Sequence, residues 1–433
     1  MPKAITGGNA RTVRRAGTTG GLQGADGRLA SLDLIRGVAV LGILAINIAG
    51  FSGPSLGTFT PDFPAPAGLP DEAAWAFGFL FFEGKMRALF AILFGAGLAL
   101  QCERMDRSGD DGDVIQVRRL AWLMVFGTLH YLLLWWGDIL FVYGCCGIAV
   151  LFVRRLPCAV LLGLAAGVIV TATAIDLWSA LPLAGAEEAV QLGNASLAQQ
   201  TQVLARLDLY QANAQAQASL YHSGFIDIAM SKLRHDPFWL FTMTGHAWSE
   251  ILPLMLLGVV LLRSGFFHGE WPPLGMKWLR LGATTLGLAL TALVLAWAWP
   301  RQFPPIAMTM LLGKGLWPAH LLTALGYAAI LVSAAPRLSE SRIGMRLVAA
   351  GRVAFSNYIG TSLLMCALFY GWGADLFGQP GPLDRWAFVF IGWIAMLAWS
   401  RPWLIRYRRG PLELLWRSLS LRKRLKNGLI PTA

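Results

Sequence analysis

Three short groups of polar residues in this sequence could carry chemistry, and each lies in or beside a long apolar run. In the first group, Asp33 and Arg36 are three residues apart and can pair on one face of a helix. At 100° per residue, Asn47 falls within about 60° of that face and roughly 21 Å further along the helix axis. One polar stripe would therefore join the two ends of a single helix. The alternative is a structural ion pair that anchors the start of the helix.

The second group contains Glu83, Lys85 and Arg87, at the start of another apolar run. Glu83 and Arg87 are four residues apart, which is the spacing of an ion pair along one helix face. Gly84 lies between them and allows another backbone to approach closely. We expect Glu83 and Arg87 to belong to a site, whereas we expect Lys85 to be a solvated charge at a membrane interface.

The third group contains His130 and Asp138, which flank the aromatic pair Trp135 and Trp136. Histidine exchanges protons near neutral pH, so His130 is a candidate general base with Asp138 as its neighbour. Arg119 lies eleven residues before His130 and shares its helix face within about 20°. The alternative is that His130 makes only structural hydrogen bonds.

Other polar residues add to these groups from later in the chain. His246 and Glu250 are four residues apart at the start of an apolar run, and His320 opens another run. A metal site formed by His246, Glu250 and His130 is a lesser alternative, and we expect no metal. No P-loop, GxSxG, HExxH, paired CxxC or dinucleotide-binding motif stands in a supporting context.

The composition shows which elements must position these residues. Of the 433 residues, 56% are hydrophobic and only 14% are charged, whereas soluble domains carry roughly 25% charged residues. This excludes a disordered chain, a nucleic-acid-binding protein and an ordinary soluble enzyme. The five cysteines lack metal-type spacing and are interpreted as small hydrophobic residues. The chain is therefore predicted to be an all-α, polytopic membrane protein.

A helix that crosses a bilayer needs about 20 mostly apolar residues. On this criterion we predict about ten transmembrane helices, near 32–52, 84–103, 118–136, 138–154, 157–181, 246–264, 278–299, 317–335, 353–372 and 385–401. With both termini in the cytoplasm, 28 of the 36 Lys and Arg residues fall on the inner side. This distribution follows the positive-inside rule, so the net charge of +12 requires no nucleic-acid partner.

The same topology separates two kinds of chemistry. Most of the histidines, together with Glu83, Asp138 and Glu250, fall near the outer side, where they are suited to proton transfer. The inner side instead offers arginines, whose charge and fork geometry suit phosphate groups: Arg36, Arg104, Arg118 and Arg119. The pattern suggests a phosphorylated donor on the inside and acid–base chemistry near the outside.

Three parts of the chain are predicted from composition. Residues 1–31 are a disordered, basic cytoplasmic tail, 32–401 form the transmembrane domain, and 402–433 form a second basic cytoplasmic tail. Within the domain, residues 182–245 form an outward loop that is rich in Ala and Gln and is predicted to contain one or two amphipathic helices. The loop is interpreted either as a cap over the bundle or as a lid over an acceptor.

Several short segments of the sequence, taken in order along the chain, resemble motifs of the YeiB-like family of bacterial inner-membrane proteins. They lie at 28–37 (RLASLDLIRG), 82–90 (FEGKMRALF), 93–97 (LFGAG), 127–130 (GTLH), 136–140 (WGDIL), 351–352 (GR), 356–358 (SNY) and 410–417 (GPLELLWR). The resemblance covers nearly the whole chain after residue 28. It implies an inner-membrane location and a multi-pass helical fold.

The YeiB-like family is in turn similar to the transmembrane acyltransferase superfamily, which includes sugar O-acyltransferases and heparan glucosaminide N-acetyltransferase. Those proteins pair an Asp-x-x-Arg with a polar residue fourteen positions after the Asp, and Asp33, Arg36 and Asn47 match the form in which that residue is Asn. The heparan enzyme has an essential His shortly after its Asn, but residues 48–72 contain no His. The resemblance therefore leaves proton transfer to His130 or Glu83.

The resemblance implies an acyl-CoA donor on the inside and an acceptor nearer the outside. We expect an acyltransferase that acts on an extracytoplasmic hydroxyl or amine of a small molecule, glycan or lipid; a transporter or exporter of a small amphipathic molecule is the alternative. The expected catalytic residues are His130, Asn47, Glu83 and Asp138. Donor-binding residues are expected at Asp33, Arg36, Arg118 and Arg119, and acceptor-binding residues at Arg87, His246, Glu250, His320 and Asn357. The expected partners are the bilayer and the acceptor, with a homo-oligomer left open.

Overall fold

The computed structural model describes residues 29–108 and 112–428, and this part of the chain folds into α-helices without a β-strand. The all-α prediction is therefore confirmed for the described residues. The predicted N-terminal tail lies almost entirely outside them.

The first half of the chain contains the helices that carry the three polar groups. They are α1 (Ala30–Ser52), α2 (Leu69–Phe81), α3 (Lys85–Ser108), α4 (Gly112–Leu133), α5 (Leu140–Val153) and α6 (Cys158–Gln191). A 3₁₀ turn at Ser55–Thr58 follows α1.

The predicted outward loop is largely helical. It contains two helices, α7 (Leu197–Tyr221) and α8 (Phe225–His235), in agreement with the prediction of one or two. Ser196 begins α7 with a capping box in which its hydroxyl and the Gln199 side chain satisfy each other's backbone N–H groups. Because α6 continues to Gln191 and α9 begins at Trp239, the segment is shorter at both ends than predicted.

The second half of the chain completes the bundle. Its helices are α9 (Trp239–Arg263), α10 (Pro273–Lys277), α11 (Thr284–Ala298), α12 (Pro305–Met310), α13 (Trp317–Leu338), α14 (Arg342–Arg352), α15 (Ala354–Phe369), α16 (Pro382–Arg406) and α17 (Pro411–Leu421). Short 3₁₀ turns lie at Phe266–His268 and Trp299–Arg301, and π-helical turns at Trp278–Ala283 and Leu311–Gly315. Proline in the first turn begins α13, α16 and α17, where its missing N–H costs nothing.

Within residues 29–108 and 112–428, six helical segments are long and apolar enough to cross a membrane: α1, α6, α9, the segment Pro273–Arg301, α13 and α16. Each coincides with a predicted span, so the chain is a multi-pass helical membrane protein. The other four predicted spans coincide with α3, α4, α5 and α15. Of these, α15 is long and apolar enough to cross a membrane only when it is joined to α14. The two helices are bent by 86° at the break between them.

Helix α1 lies at the centre of the bundle and α6 at its edge. In the most apolar window of α1, 78% of the residues are buried, compared with 11% in α6. Helix α1 contacts α3, α13, α14, α15 and α16. The polar stripe of α1 is therefore surrounded by other helices, whereas the apolar surface of α6 is left for lipid.

Candidate functional site

A buried hydrogen-bonded pair of side chains joins the end of α4 to the start of α5. The Nδ1 atom of His130 lies 2.9 Å from Oδ1 of Asp138, and neither side chain is exposed. The second carboxylate oxygen of Asp138 accepts a hydrogen bond of 2.8 Å from the N–H of Phe141, in the first turn of α5. Asp138 is thus held by a helix N-terminus while it orients the imidazole, and the structure brings together two residues predicted to act together.

The other nitrogen of this imidazole has no hydrogen-bond partner among the described residues. Nε2 of His130 is buried and unpaired, as is the hydroxyl of Tyr358. The two rings are neighbours, with centroids 5.0 Å apart. A proton on Nδ1, held by the carboxylate of Asp138, leaves the lone pair of Nε2 free to accept a proton. Tyr358 belongs to the SNY motif at 356–358, but nothing in the sequence indicated that it lies beside His130.

A second cluster forms around Arg87 at the start of α3. Its Nε donates to Glu250 of α9 at 2.9 Å, and one terminal nitrogen lies 3.4 Å from Glu83. The predicted pair along α3 is therefore present, but Glu250 makes the shorter contact. All three side chains are largely buried, so each charge depends on its partner.

Lys85 and His320 complete this cluster. Lys85 is fully buried and donates a hydrogen bond of 2.9 Å to the carbonyl of Phe79, so the expectation of a solvated charge was wrong. His320 on α13 packs against Gly84, where an added Cβ would lie 1.9 Å from Nδ1 of the imidazole. Gly84 also has a φ of +71°, a conformation that favours glycine. The Nε2 atom of His320 is buried and unpaired within the described residues.

Tyr143 on α5 lies between the two clusters. Its ring is 1% exposed, and it interacts electrostatically with both Arg87 and Glu250. Tyr143 also interacts electrostatically with Tyr358, which in turn interacts electrostatically with Asp138. A series of polar side chains therefore runs through the apolar core from Glu250 to Asp138.

A small cavity lies beside Glu83. It has a volume of about 50 Å³ and lies between α1, α2 and α16; Arg385 and the ring of Trp386 also line it. The Nε atom of Arg385 is buried without a partner among the described residues. Arg385 was not among the predicted site residues, and only its position in an apolar run could have indicated it.

The arginines predicted to bind phosphate lie at the end of the bundle at which α1 begins. Arg36 pairs with Asp33 at 3.0 Å. The guanidinium of Arg119 lies 4.3 Å from the centroid of the Trp416 ring and interacts electrostatically with Arg36 and Arg417. Arg118 instead lines a separate cavity. Arg36 and Arg119 are therefore close enough to interact electrostatically, whereas Arg118, at the same end of the bundle, faces a different cavity.

Helix α17, in the predicted C-terminal tail, docks onto the bundle through Glu413. Its carboxylate accepts hydrogen bonds from the N–H groups of Phe355 and Ser356, at 2.9 and 3.0 Å, and from the Ser356 hydroxyl at 2.6 Å. Burial raises the pKa of Glu413 above its usual value, although the hydrogen bonds from Ser356 oppose this shift. The tail is therefore attached to the start of α15.

Three predicted site residues lie apart from these clusters. Asn357 donates to the carbonyl of Ala350 and to Ser400, and its carbonyl accepts from the indole of Trp399, so protein groups occupy its amide. His246 is exposed on α9, one turn before Glu250. Asn47 is partly exposed in α1, and its side chain makes no hydrogen bond with the described residues.

Comparisons with known proteins agree with the motifs in the sequence. The family model described as "Protein of unknown function (DUF418)" matches residues 261–423. "Uncharacterized protein YeiB" of Escherichia coli (strain K12) is 31% identical over 407 residues, which cover 91% of this chain and 97% of YeiB. "Uncharacterized protein YxaH" of Bacillus subtilis (strain 168) is 27% identical over 413 residues, which cover 90% of this chain and 94% of YxaH. No solved structure matches significantly. The similarity to YeiB along nearly the whole of both proteins shows that the chain belongs to the YeiB family.

Proposed function

We propose that this protein is a membrane-bound acyltransferase that moves an acyl group from acyl-CoA to an extracytoplasmic hydroxyl or amine. The observation that carries the proposal is the buried pair of His130 and Asp138, whose free Nε2 atom lies inside the bundle. An imidazole oriented by a carboxylate is the arrangement that general-base catalysis of acyl transfer uses.

In the proposed reaction, Nε2 of His130 accepts the proton of the acceptor hydroxyl or amine. The acceptor atom bonds to the carbonyl carbon of the thioester, the bond from carbon to sulfur breaks, and the CoA thiolate leaves and takes up a proton. Asn47 donates a hydrogen bond to the carbonyl oxygen as negative charge develops there. Glu83 supports the proton transfer or acts as an alternative base.

The donor site is proposed at the cytoplasmic end of α1. Arg36 and Arg119 lie close enough to interact electrostatically, and together they match the charge of a diphosphate. Asp33 holds Arg36 in place through their ion pair. The resemblance of Asp33, Arg36 and Asn47 to the acyltransferase pattern supports the same assignment. On the outer side, Arg87, Glu250 and His320 are proposed to bind the acceptor.

The proposal requires a topology of ten spans in the bacterial inner membrane, with both termini in the cytoplasm. The distribution of Lys and Arg supports this topology. Accessibility labelling of Asn213→Cys and Asn427→Cys tests it, since the first residue lies on α7 and the second in the C-terminal tail. Labelling of Asn213→Cys only from the cytoplasmic side would contradict it.

The direct test is release of the CoA thiol by the purified protein in the presence of varied acceptors. His130→Gln is expected to lower the rate about 10²–10⁴-fold while the protein still folds, because a general base contributes that much. His268→Gln is the matched control, since His268 lies in a short 3₁₀ turn away from both clusters. A His130→Gln protein with full activity would remove His130 from the mechanism, and absence of acyl-CoA binding by the parent protein would count against the whole proposal.

A proton-coupled transporter is the second candidate. Two observations favour it: the buried polar series between Glu250 and Asp138, and the break of 86° between α14 and α15, which resembles the discontinuous helices of transporters. Such folds usually contain a second broken helix in an internal repeat, and the sequence gives no convincing repeat. Proton-coupled flux of a substrate in proteoliposomes without acyl-CoA would favour this candidate over acyl transfer.

A further inference from the structure

A basic cavity lies between α4 and α17, at the end of the bundle at which α1 begins. Its volume is about 490 Å³, and its wall includes Arg118, Trp122, Arg422, Lys423 and Arg424. Arg118 and Trp122 are one turn apart on α4, whereas the three consecutive cations follow the end of α17.

Hydrogen bonds, and not ion pairs, hold the three consecutive cations at this cavity. The N–H of Lys423 donates to the carbonyl of Ser418 at 3.2 Å, and the N–H of Leu425 donates to the Ser418 hydroxyl at 3.3 Å. Further on, the side chain of Asn427 accepts from the N–H of Arg409 at 3.1 Å and donates to its carbonyl at 2.9 Å. The chain therefore folds back along α17 and holds its charged side chains at the cavity.

Among the residues that the structure describes, no carboxylate neutralises the positive charge at this cavity. Within residues 29–108 and 112–428, none of its four cations makes a salt bridge with a carboxylate. Four like charges around one cavity repel one another, so an anion placed between them relieves the repulsion. Guanidinium and ammonium groups together are suited to phosphate oxygens.

The surface of α4 beside the cavity indicates the source of the phosphate. Val117, Val125 and Leu129 form a stripe along α4 and are 45%, 44% and 47% exposed. Arg118 and Trp122 lie next to this stripe, so the cavity is continuous with an apolar surface on a predicted transmembrane helix. An apolar surface beside the cavity adds nothing to the binding of a small soluble anion, whereas the acyl chains of a phospholipid would cover it.

We propose that this cavity binds the phosphate headgroup of an anionic phospholipid whose acyl chains lie along the Val117–Leu129 stripe. Basic pockets between helices at the cytoplasmic surface are suited to such headgroups. The proposal is independent of acyl transfer. It assigns Arg118 to lipid binding and leaves Arg36 and Arg119 to the proposed donor.

The test compares lipid retention by native mass spectrometry. The full-length protein is equilibrated with mixed micelles that contain equal amounts of phosphatidylglycerol and phosphatidylcholine. The variant carries Arg422→Gln, Lys423→Gln and Arg424→Gln. The matched control carries Arg406→Gln, Arg408→Gln and Lys426→Gln, which remove the same charge from exposed positions of the same tail. If each cation that lines the cavity contributes a factor of about five, the variant is expected to bind phosphatidylglycerol about 100-fold more weakly, whereas the control, whose cations do not line the cavity, is expected to retain it.

Selective loss in the variant, with retention in the control, would support the proposal. Equal loss in both would show general attraction to a charged surface and would overturn it. Displacement of the lipid by millimolar inorganic phosphate or CoA would identify a soluble phosphate as the ligand and would also overturn it. If the triple variant does not fold, Arg118→Gln on α4 provides the same test with an expected loss of about fivefold. Unchanged phosphatidylglycerol binding by Arg118→Gln would then overturn the proposal.

Discussion

Lys232 provides a test of how α8 is attached to the helix that carries His130. Its side chain is 4% exposed, and its Nζ donates to the carbonyls of Tyr131 and Leu134, at 2.8 and 3.2 Å. These carbonyls lie at the end of α4, where intrahelical donors are lacking. Burial lowers the pKa of Lys232 from 10.5 to about 8, and the nearby Cys366 thiol opposes this shift.

The lowered pKa of Lys232 fixes the sign and size of a pH effect. Between pH 8 and pH 10.5 the unfolded chain holds a proton on this lysine that the folded protein has lost, so the free energy of unfolding rises with pH. At 1.36 kcal/mol for each pKa unit, the shift contributes about 3 kcal/mol across this window. This contribution is complete above pH 10.5 and is lost as the pH falls towards 8.

The assay is denaturant unfolding of the detergent-solubilised protein at a series of pH values. Lys232→Met retains the length of the side chain but cannot titrate, so the difference between parent and variant isolates this residue from all other groups. The parent is expected to gain stability relative to the variant as the pH rises from 8 to 10.5. Lys426→Met, at an exposed lysine, is the control and is expected to follow the parent.

A constant difference between parent and Lys232→Met across this pH range would refute the reasoning. It would mean that the ammonium of Lys232 is as well solvated in the folded protein as in the unfolded chain.

Three further predictions concern one helix crossing and the contacts of two largely buried carboxylates. Gly258→Leu is expected to destabilise the crossing of α3 and α9 by about 1–3 kcal/mol or more, because an added Cβ would lie 2.0 Å from the carbonyl of Ile92; Gly163→Leu, with open space around it, should melt like the parent. Glu250→Gln is expected to cost about 3 kcal/mol in denaturant unfolding because it leaves the charge of Arg87 without its closest partner, and an equal cost for Glu83→Gln would contradict this. Glu413→Ala is expected to release α17, measured as faster proteolysis of the C-terminal tail; unchanged cleavage would show that Glu413 does not hold it.

The sequence by itself determined the helical class and the local pairs. Apolar runs of sufficient length predicted each of the six membrane-crossing segments, because a bilayer imposes its thickness on the chain. The pairs Asp33–Arg36 and Glu83–Arg87 followed from helix geometry alone, since residues three or four apart share a face. His130 and Asp138 were predicted together because a histidine near the end of a span is followed by a carboxylate at the helix mouth.

The tertiary structure decided which distant residues join these pairs. Glu250 approaches Arg87 because α9 crosses α3 at glycines small enough for close contact, and no local pattern encodes that crossing. The burial of Lys85, the placement of His320 against Gly84 and the occupation of the Asn357 amide likewise depend on which helices are neighbours. Hydropathy reports how much apolar surface a helix has but not which helix covers it. Only the packed bundle therefore distinguished a buried cation from a solvated one.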